Sequence, residues 1–286
     1  MVIICAVGIG LLLYPSFSSW YNSLHQSRAI ASYQEAVEDL TDEEYEAALA
    51  AAREYNEWLF EGNHSLSLSE EEEEEYLEIL DVDGSGIIGY IEIPSIDVYL
   101  PIYHTTEDTI LAVAVGHLEG SSFPVGGENT HAVLAGHTGL PTAALFTDID
   151  QLEEGDVFYI YVLDEMYTYE VDQVVTVLPD DAEDYLDIEE GEDYVTLYTC
   201  TPYGLNTHRL LVRGTRTANP TEEEMEEIEE ENRFSLDRDE IAVLCAILAL
   251  IALIVILIVR GARKHRNSKK AASEAEEGKE LKLPEK

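Results

Sequence analysis

The segment Thr196–Gly214, TLYTCTPYGLNTHRLLVRG, decides the fold, because it holds two strand-like stretches separated by a short polar loop. β-Branched and aromatic residues favour strands, whereas Pro, Gly and Asn favour turns. Two such stretches in succession predict an antiparallel hairpin. The first predicted strand ends at Cys200, and the second opens with His208 and Arg209. The hairpin therefore brings a thiol and a cationic side chain to one end of a sheet.

Similar strand-like segments precede this hairpin, and together they fill the chain between Gly86 and Arg216. Their short lengths and close spacing are typical of a closed or nearly closed β-barrel and not of a parallel α/β sheet. We therefore predict a mainly β domain over residues 81–217, a barrel of about eight strands. The segments are IIGYIEIP, VYLPIYH, LAVAVGH, THAVLAGH, VFYIYVL, MYTYEVDQVVTVL, YVTLYTC and THRLLVRG.

Residues 21–80, ahead of the barrel, are rich in Ala, Glu and Leu and are predicted to be helical. Thr41 with Glu44, and Ser69 with Glu72, have the spacing of capping boxes, which begin helices. The segment EGNHSLSLS between the two boxes interrupts the helical pattern. It could carry a lid over the barrel.

The C-terminal third of the chain contains the strongest membrane signal. Residues 241–259, IAVLCAILALIALIVILIV, contain no charged residue and no proline. A bilayer core needs about 20 such residues in a helix, so we predict a transmembrane helix. Basic residues open the tail, residues 260–286, which is therefore predicted to be cytoplasmic and disordered. The acidic segment 218–240 is interpreted as a stalk, and the barrel is predicted to lie outside the cell.

The N-terminal residues 1–17, MVIICAVGIGLLLYPSF, are also mainly apolar. They are interpreted as a signal sequence or as a retained membrane anchor, and the absence of a convincing cleavage site favours the anchor. The lipid bilayer is thus an expected partner at both ends of the chain.

The charge of the chain and one acidic segment limit the other classes of partner that can be expected. The formal net charge of −43 opposes binding to a phosphate backbone, so we expect no nucleic-acid partner. The segment DVDGSGIIGYIE, residues 81–92, nearly matches a calcium-binding loop. A helix should follow such a loop, but β-branched residues and Pro94 follow here, so we interpret it as a turn and predict no metal. Nothing in the sequence indicates an oligomer, so we expect a monomer.

Cys200 is the only cysteine in the predicted extracellular part, since Cys5 and Cys245 lie in apolar segments. It cannot form an intrachain disulfide there, which makes it a candidate reactive thiol. A nucleophilic cysteine needs a thiolate, access to substrate and a group that stabilises the oxyanion. If Cys200 pairs with Thr207 across the loop, Arg209 lies on the same face at about 7–8 Å. Its permanent charge suits oxyanion stabilisation.

A histidine should complete the set, because a cysteine nucleophile is commonly activated by an adjacent base. His208 alternates to the face opposite Arg209 and is less suitable. His117 and His137 each follow a glycine at the end of an apolar run, and spacing does not choose between them. For any single histidine here a structural role is the more common one. The candidates outside the membrane are His64, His104, His117, His131, His137 and His208.

Three segments resemble the sortases, a family of cysteine transpeptidases of the Gram-positive cell surface. TLYTC, followed nine residues later by Arg209, resembles their Thr-Leu-x-Thr-Cys signature. VLAGHTGLPTAALFTDIDQLEEGD resembles their histidine segment, and GYIEIPSIDVYLPIYH resembles the first strands of class C, the pilin-polymerising sortases. The resemblance spans roughly residues 80–216. It implies a sortase-like β-barrel with the catalytic set His137, Cys200 and Arg209.

The resemblance also implies the reaction. Cys200 would attack the Thr–Gly carbonyl of a Leu-Pro-x-Thr-Gly-like sorting signal of a pilin or surface protein and form a thioester. His137 would protonate the leaving amine and later deprotonate the incoming one, while Arg209 would hold the oxyanion. The acceptor amine would be a pilin lysine or a peptidoglycan cross-bridge. Neither a cofactor nor a metal is implied.

The sequence departs from class C in one respect. Those enzymes usually carry an Asp-Pro-aromatic lid motif, but residues 61–73 contain Leu66 and Leu68 instead. The alternatives that stay open are a sortase that attaches surface proteins to peptidoglycan, an exported cysteine hydrolase, and a membrane-tethered acidic scaffold without enzymatic activity.

Overall fold

The structure is a computed structural model. It describes residues 2–63, 65–66, 68–221, 223–226, 228 and 259–260. The chain divides into two compact units, Met1–Glu222 and Glu223–Lys286, and the first contains the barrel. Most of the predicted stalk, transmembrane helix and tail lies outside the described residues. None of the helices in the described ranges is both long enough and apolar enough to cross a membrane.

Eight strands form a closed barrel in the order β1-β2-β3-β4-β7-β8-β6-β5, which confirms the predicted mainly β fold. The third predicted segment is only partly a strand, because a short helix, α4 (Asp108–Leu111), occupies the chain before β3. The strands are β1 (Ile87–Ile93), β2 (Val98–His104), β3 (Val115–His117), β4 (Thr130–Ala135), β5 (Val157–Val162), β6 (Glu165–Val177), β7 (Asp193–Thr201) and β8 (His208–Thr217).

Among the described residues, three α-helices precede the barrel: α1 (Val2–Glu38), α2 (Asp42–Trp58) and α3 (Glu70–Glu78), and a short π-helix (Leu59–Asn63) follows α2 directly. The first is a single continuous helix, so the boundary predicted near residue 17 is not a break in secondary structure. Both predicted capping boxes are present. Thr41 N donates to Glu44 Oε2 at 2.9 Å, and Ser69 N donates to Glu72 Oε2 at 2.7 Å. Each box satisfies backbone N–H groups that a helix start leaves unpaired.

The segment that resembles a calcium-binding loop forms a turn. Asp81 Oδ1 accepts a hydrogen bond from Gly86 N at 3.0 Å, and Asp83 Oδ1 accepts one from Ser85 N at 2.9 Å. Strand β1 begins directly afterwards at Ile87, where a calcium-binding loop would require a helix. The two carboxylates therefore stabilise the turn that leads into the barrel.

The barrel wall has two faces, because successive residues of a strand point to opposite sides. Leu134, Leu197 and Val212 are fully buried within the main hydrophobic core. Val133 and Leu211 belong to a second apolar cluster, which also contains Ala182 and Leu186 from the connection between β6 and β7. We call this second set the outer cluster. It covers the outside of strands β4, β7 and β8, next to the candidate site.

Candidate active site

Cys200 lies next to Arg209 at the end of the β7–β8 hairpin. The two residues are direct cross-strand partners, and Thr201 pairs with His208. The predicted pairing of Cys200 with Thr207 is therefore wrong, although the predicted shared face is right, because opposed residues point to the same side. Direct partners have Cβ atoms about 4.5–5.5 Å apart, which is closer than the predicted diagonal distance.

His137 lies at the height of Cys200, just beyond the end of β4, the strand that flanks β7 on the side away from β8. Strands β4 and β7 are parallel, with Ala135 paired to Tyr198, and Gly136 N continues the ladder by donating to the Tyr198 carbonyl at 3.1 Å. Two residues beyond the last pair, His137 falls at the height of Cys200. The strand order β4-β7-β8 thus brings all three predicted site residues to neighbouring strand ends.

The backbone around His137 is held on both sides. Thr199 Oγ1 donates to the Gly136 carbonyl at 2.6 Å, and Phe146 N donates to the His137 carbonyl at 3.1 Å. Gly136 also has no room for a side chain, because an added Cβ would lie 2.6 Å from the Phe146 ring. These contacts fix where the chain leaves β4, and hence where the imidazole can lie.

A cleft of about 400 Å³ opens beside the half-buried Cys200. Its walls include Thr138, Phe146 and Asp148 from the connection between β4 and β5, and Tyr203 from the β7–β8 loop. Tyr203 is 69% exposed, and its ring lies close to Gly139. A larger cavity of about 720 Å³ lies between α2 and α3, but none of the three site residues lines it. We place the site at the smaller cleft because it contains the thiol.

Two of the other candidate histidines, His117 and His104, have structural roles in the barrel. His117 is fully buried between Tyr76, which lies 2.9 Å from its Nδ1, and the Ser122 carbonyl, 2.8 Å from its Nε2. Burial lowers its pKa to about 3, so the ring is neutral. His104 is buried with a lowered pKa for the same reason, and its Nε2 lies 2.8 Å from the Ile79 carbonyl.

Besides His137, the remaining candidate histidines are His131, His208 and His64. His131 is buried, with Nε2 at 2.8 Å from Thr196 Oγ1 and Nδ1 at 2.8 Å from the Asp187 carbonyl. His208 pairs with Thr201 and lies on the face opposite Arg209, as predicted. His64 lies outside the described residues. His137 is therefore the candidate histidine that the register of β4 and β7 brings to the level of Cys200.

The segment at the expected lid position contacts the outer cluster. Leu66 packs against this cluster, which Tyr198 also joins. The Ser65 carbonyl approaches Gly120 so closely that a side chain at this glycine would clash with it. Ser65 and Leu66 therefore lie against the barrel, in a segment whose sequence contains no Asp-Pro-aromatic motif.

Sequence reasoning missed the contacts of Tyr198 and Thr199, which surround the site. The hydroxyl of Tyr198 accepts a hydrogen bond from Arg209 Nε at 3.0 Å. Alternation along β7 places Tyr198 on the face of Cys200, since the two are separated by one residue, but it does not predict the hydrogen bond to Arg209. The contact of Thr199 with Gly136 depends on the parallel pairing of β4 and β7, for which the sequence contains no local signal.

Comparisons with known proteins agree on one family. A family model described as the sortase domain matches residues 91–217. Sortase A of Bacillus anthracis is 37% identical over 134 residues, which are 46% of this chain and 61% of that protein. The chain therefore spans about three fifths of the length of this curated relative.

Solved structures match over a longer part of the chain. The crystal structure of sortase C1 from Streptococcus agalactiae is 47% identical, with a TM-score of 0.65 over 68% of this chain and 100% of that one. Clostridium perfringens sortase C, solved with the C-terminal cell wall sorting motif, is also 47% identical, with a TM-score of 0.60 over 68% of this chain and 100% of that one.

Proposed function

Because the chain belongs to the sortase family, within its class C, we propose that it is a membrane-anchored cysteine transpeptidase that joins proteins through an amide bond. The observation that carries this proposal is the register of three neighbouring strands. It puts Cys200 directly opposite Arg209 and at the height of His137. A nucleophile, a proton carrier and a fixed positive charge at one strand end match the needs of acyl transfer to a thiol.

The first half-reaction would cleave the sorting signal. The Cys200 thiolate attacks the carbonyl carbon of the Thr–Gly bond in a Leu-Pro-x-Thr-Gly-like segment, and the carbonyl oxygen becomes an oxyanion beside Arg209. When the intermediate collapses, the C–N bond breaks and the His137 imidazolium gives its proton to the leaving glycine nitrogen. The products are a thioester on Cys200 and a free amine.

The second half-reaction would resolve the thioester with an amine. The amine nitrogen attacks the thioester carbonyl, neutral His137 accepts its proton, and the thiolate of Cys200 leaves. The result is a new amide bond, and His137 and Cys200 return to their starting states. We propose a pilin lysine as the acceptor, because the similar structures are class C sortases. The relative from C. perfringens, solved with a sorting motif, supports a sorting signal as the donor.

The test is a peptide assay with the full-length chain. A fluorescent sorting peptide is incubated with the chain, with and without a lysine-containing acceptor peptide, and the products are identified by mass. We expect the amide-linked product only when the acceptor is present. Hydrolysed peptide in equal amounts with and without the acceptor would indicate a hydrolase and contradict the proposal.

The residue assignments are tested by matched substitutions in the same assay. Cys200→Ala should abolish the thioester, and His137→Ala should lower the acylation rate at least 100-fold. His208→Ala is the control, because this histidine lies on the next strand but faces the other side of the wall. It should acylate at the wild-type rate. Thioester formation by Cys200→Ala would remove the nucleophile assignment.

A further inference from the structure

Arg209 is held by hydrogen bonds at two of its three guanidinium nitrogens. Nε donates to the Tyr198 hydroxyl at 3.0 Å. Nη1 is directed at two main-chain carbonyls, those of Asn206 at 3.4 Å and His208 at 3.2 Å. Within the described part of the chain, Nη2 makes no hydrogen bond. The contacts therefore fix the orientation of the group and leave one of its nitrogens for another acceptor.

The two other arginines of β8 are bound differently. Arg213 forms an ion pair with Asp172, with an Nη2–Oδ2 distance of 2.7 Å. Arg216 lies 3.9 Å from a carboxylate oxygen of Asp193. Arg209 makes no ion pair with any described residue, although the chain contains 59 acidic residues. Its partners are a neutral hydroxyl and two carbonyls, which orient the guanidinium without cancelling its charge.

Tyr198 is itself well fixed. Its ring packs in the outer cluster, next to Val133 and Leu211, and its carbonyl accepts the hydrogen bond from Gly136 N. Burial raises its pKa, against the opposing effect of Arg209, so the hydroxyl is protonated at neutral pH. The residue connects the outer cluster, the backbone before His137 and the guanidinium of Arg209.

We propose that Tyr198, at the position that the Thr-Leu-x-Thr-Cys signature leaves open, is a positioning residue for Arg209. Its hydroxyl binds Nε of Arg209, so that the full positive charge and Nη2 already lie beside Cys200 before substrate arrives. The proposal rests on the proposed function, in which Arg209 stabilises the oxyanion. A guanidinium that is already oriented need not reorganise as the negative charge develops, so the benefit belongs to the transition state.

The experiment compares Tyr198→Phe with wild type in the full-length chain. The substitution removes one oxygen and keeps the ring, so the outer cluster stays packed. We expect the acylation rate with the sorting peptide to fall about 10-fold, with little change in KM and in thermal stability. In an Arg209→Ala background the same substitution should have no further effect, because the group that it positions is gone.

Tyr194→Phe is the matched control. Tyr194 lies on the same face of β7 and beside another arginine, with Arg213 at 4.0 Å above its ring, but it pairs with Thr215, away from Cys200. This variant should acylate like wild type. Equal losses for Tyr198→Phe in both backgrounds, or no loss in either, would overturn the positioning role.

A second measurement does not depend on the reaction. The Nε–H signal of Arg209, recorded by ¹⁵N NMR and assigned by its loss in Arg209→Lys, should exchange faster with water in Tyr198→Phe and stay unchanged in Tyr194→Phe. An unchanged Arg209 signal in Tyr198→Phe would overturn the proposal. If wild type failed to acylate, the proposed function would fail, and the NMR result alone would decide whether Tyr198 orients Arg209.

Discussion

At the scale of single residues, the two threonines of the Thr196–Cys200 segment serve the site through other residues. Thr196 Oγ1 lies 2.8 Å from the buried His131 Nε2. Thr199 Oγ1 donates to the Gly136 carbonyl at 2.6 Å. Both contacts join β7 to β4, the strand that ends just before His137. The two threonines therefore help to hold β7 against β4.

Thr199→Val should weaken both the fold and the site. Valine has nearly the same shape, but it leaves the buried Gly136 carbonyl without its donor, which costs about 1–3 kcal/mol of the free energy of unfolding. The backbone before His137 is then held less firmly, so acylation should also slow. Urea denaturation and the peptide assay measure the two effects. Thr199→Ser retains the hydroxyl and should resemble wild type, whereas a fully stable and active Thr199→Val would contradict this account.

At the scale of elements, helix α3 is joined to the barrel by a buried aromatic group. Tyr76 is fully buried and lies 2.9 Å from His117 Nδ1. Phe123 stacks on the His117 ring with a centroid distance of 4.9 Å. Since the pKa of His117 is lowered from 6.5 to about 3, the folded protein holds this ring neutral, whereas the unfolded chain would protonate it in mild acid.

This arrangement predicts a pH-dependent stability. Between pH 6.5 and about 3 the unfolded state binds a proton at His117 that the folded state does not. The free energy of unfolding should therefore decrease as the pH falls through this range, by up to about 1.4 kcal/mol per pH unit from this one group. His104, whose pKa is also lowered, acts in the same direction.

The measurement is a series of urea denaturations between pH 7 and 4.5. His117→Gln should be less stable at pH 7 but should depend less steeply on pH than wild type, because one titrating group is gone. His208→Gln serves as the control, since His208 lies at a strand end near the surface and should keep the wild-type slope. Identical slopes for wild type and His117→Gln would show that the imidazole is not the source.

Also at the scale of elements, sequence patterns predicted the strands well but not how they meet. Short runs of β-branched and aromatic residues between turn residues identified all eight strands, and the spacing of Thr41 and Glu44 identified a helix start. The pairing of Cys200 with Thr207 is wrong because β7 continues to Thr201 and β8 begins at His208, so the six-residue loop lies one position later than assumed. The segments VAVGH, which ends at His117, and VLAGH, which ends at His137, look equivalent in the sequence. Of these two histidines, however, only His117 is covered by Tyr76 of α3. That difference arises from tertiary packing and leaves no local signal.

At the scale of the whole molecule, the charge is very uneven. The chain has 59 acidic and 16 basic residues and a formal net charge of −43. A surface of one sign attracts cations and repels anions over about one Debye length, roughly 10 Å at 0.1 M salt. An acceptor that presents a lysine ammonium would therefore be attracted to this protein before it reaches the site.

Salt should thus slow transfer to a cationic acceptor. We expect the second-order rate with a lysine peptide to fall several-fold when the ionic strength rises from about 0.02 to 0.3 M. Hydroxylamine, which is uncharged at neutral pH, provides the control and should react at a rate that hardly changes. The partition of the thioester between the two amines, measured by mass spectrometry, gives the ratio directly. A ratio independent of salt would exclude steering by charge.

The parallel pairing of β4 with β7 has a consequence for how the protein becomes competent. His137 and Cys200 lie far apart in the chain, with β5 and β6 between them, and parallel neighbours can meet only after a long crossover has closed. Contacts between distant segments form slowly, because the loop entropy must be overcome first. A newly synthesised chain would therefore lack the arrangement of Cys200 and His137 until its tertiary structure is nearly complete, so folding itself delays the start of the reaction.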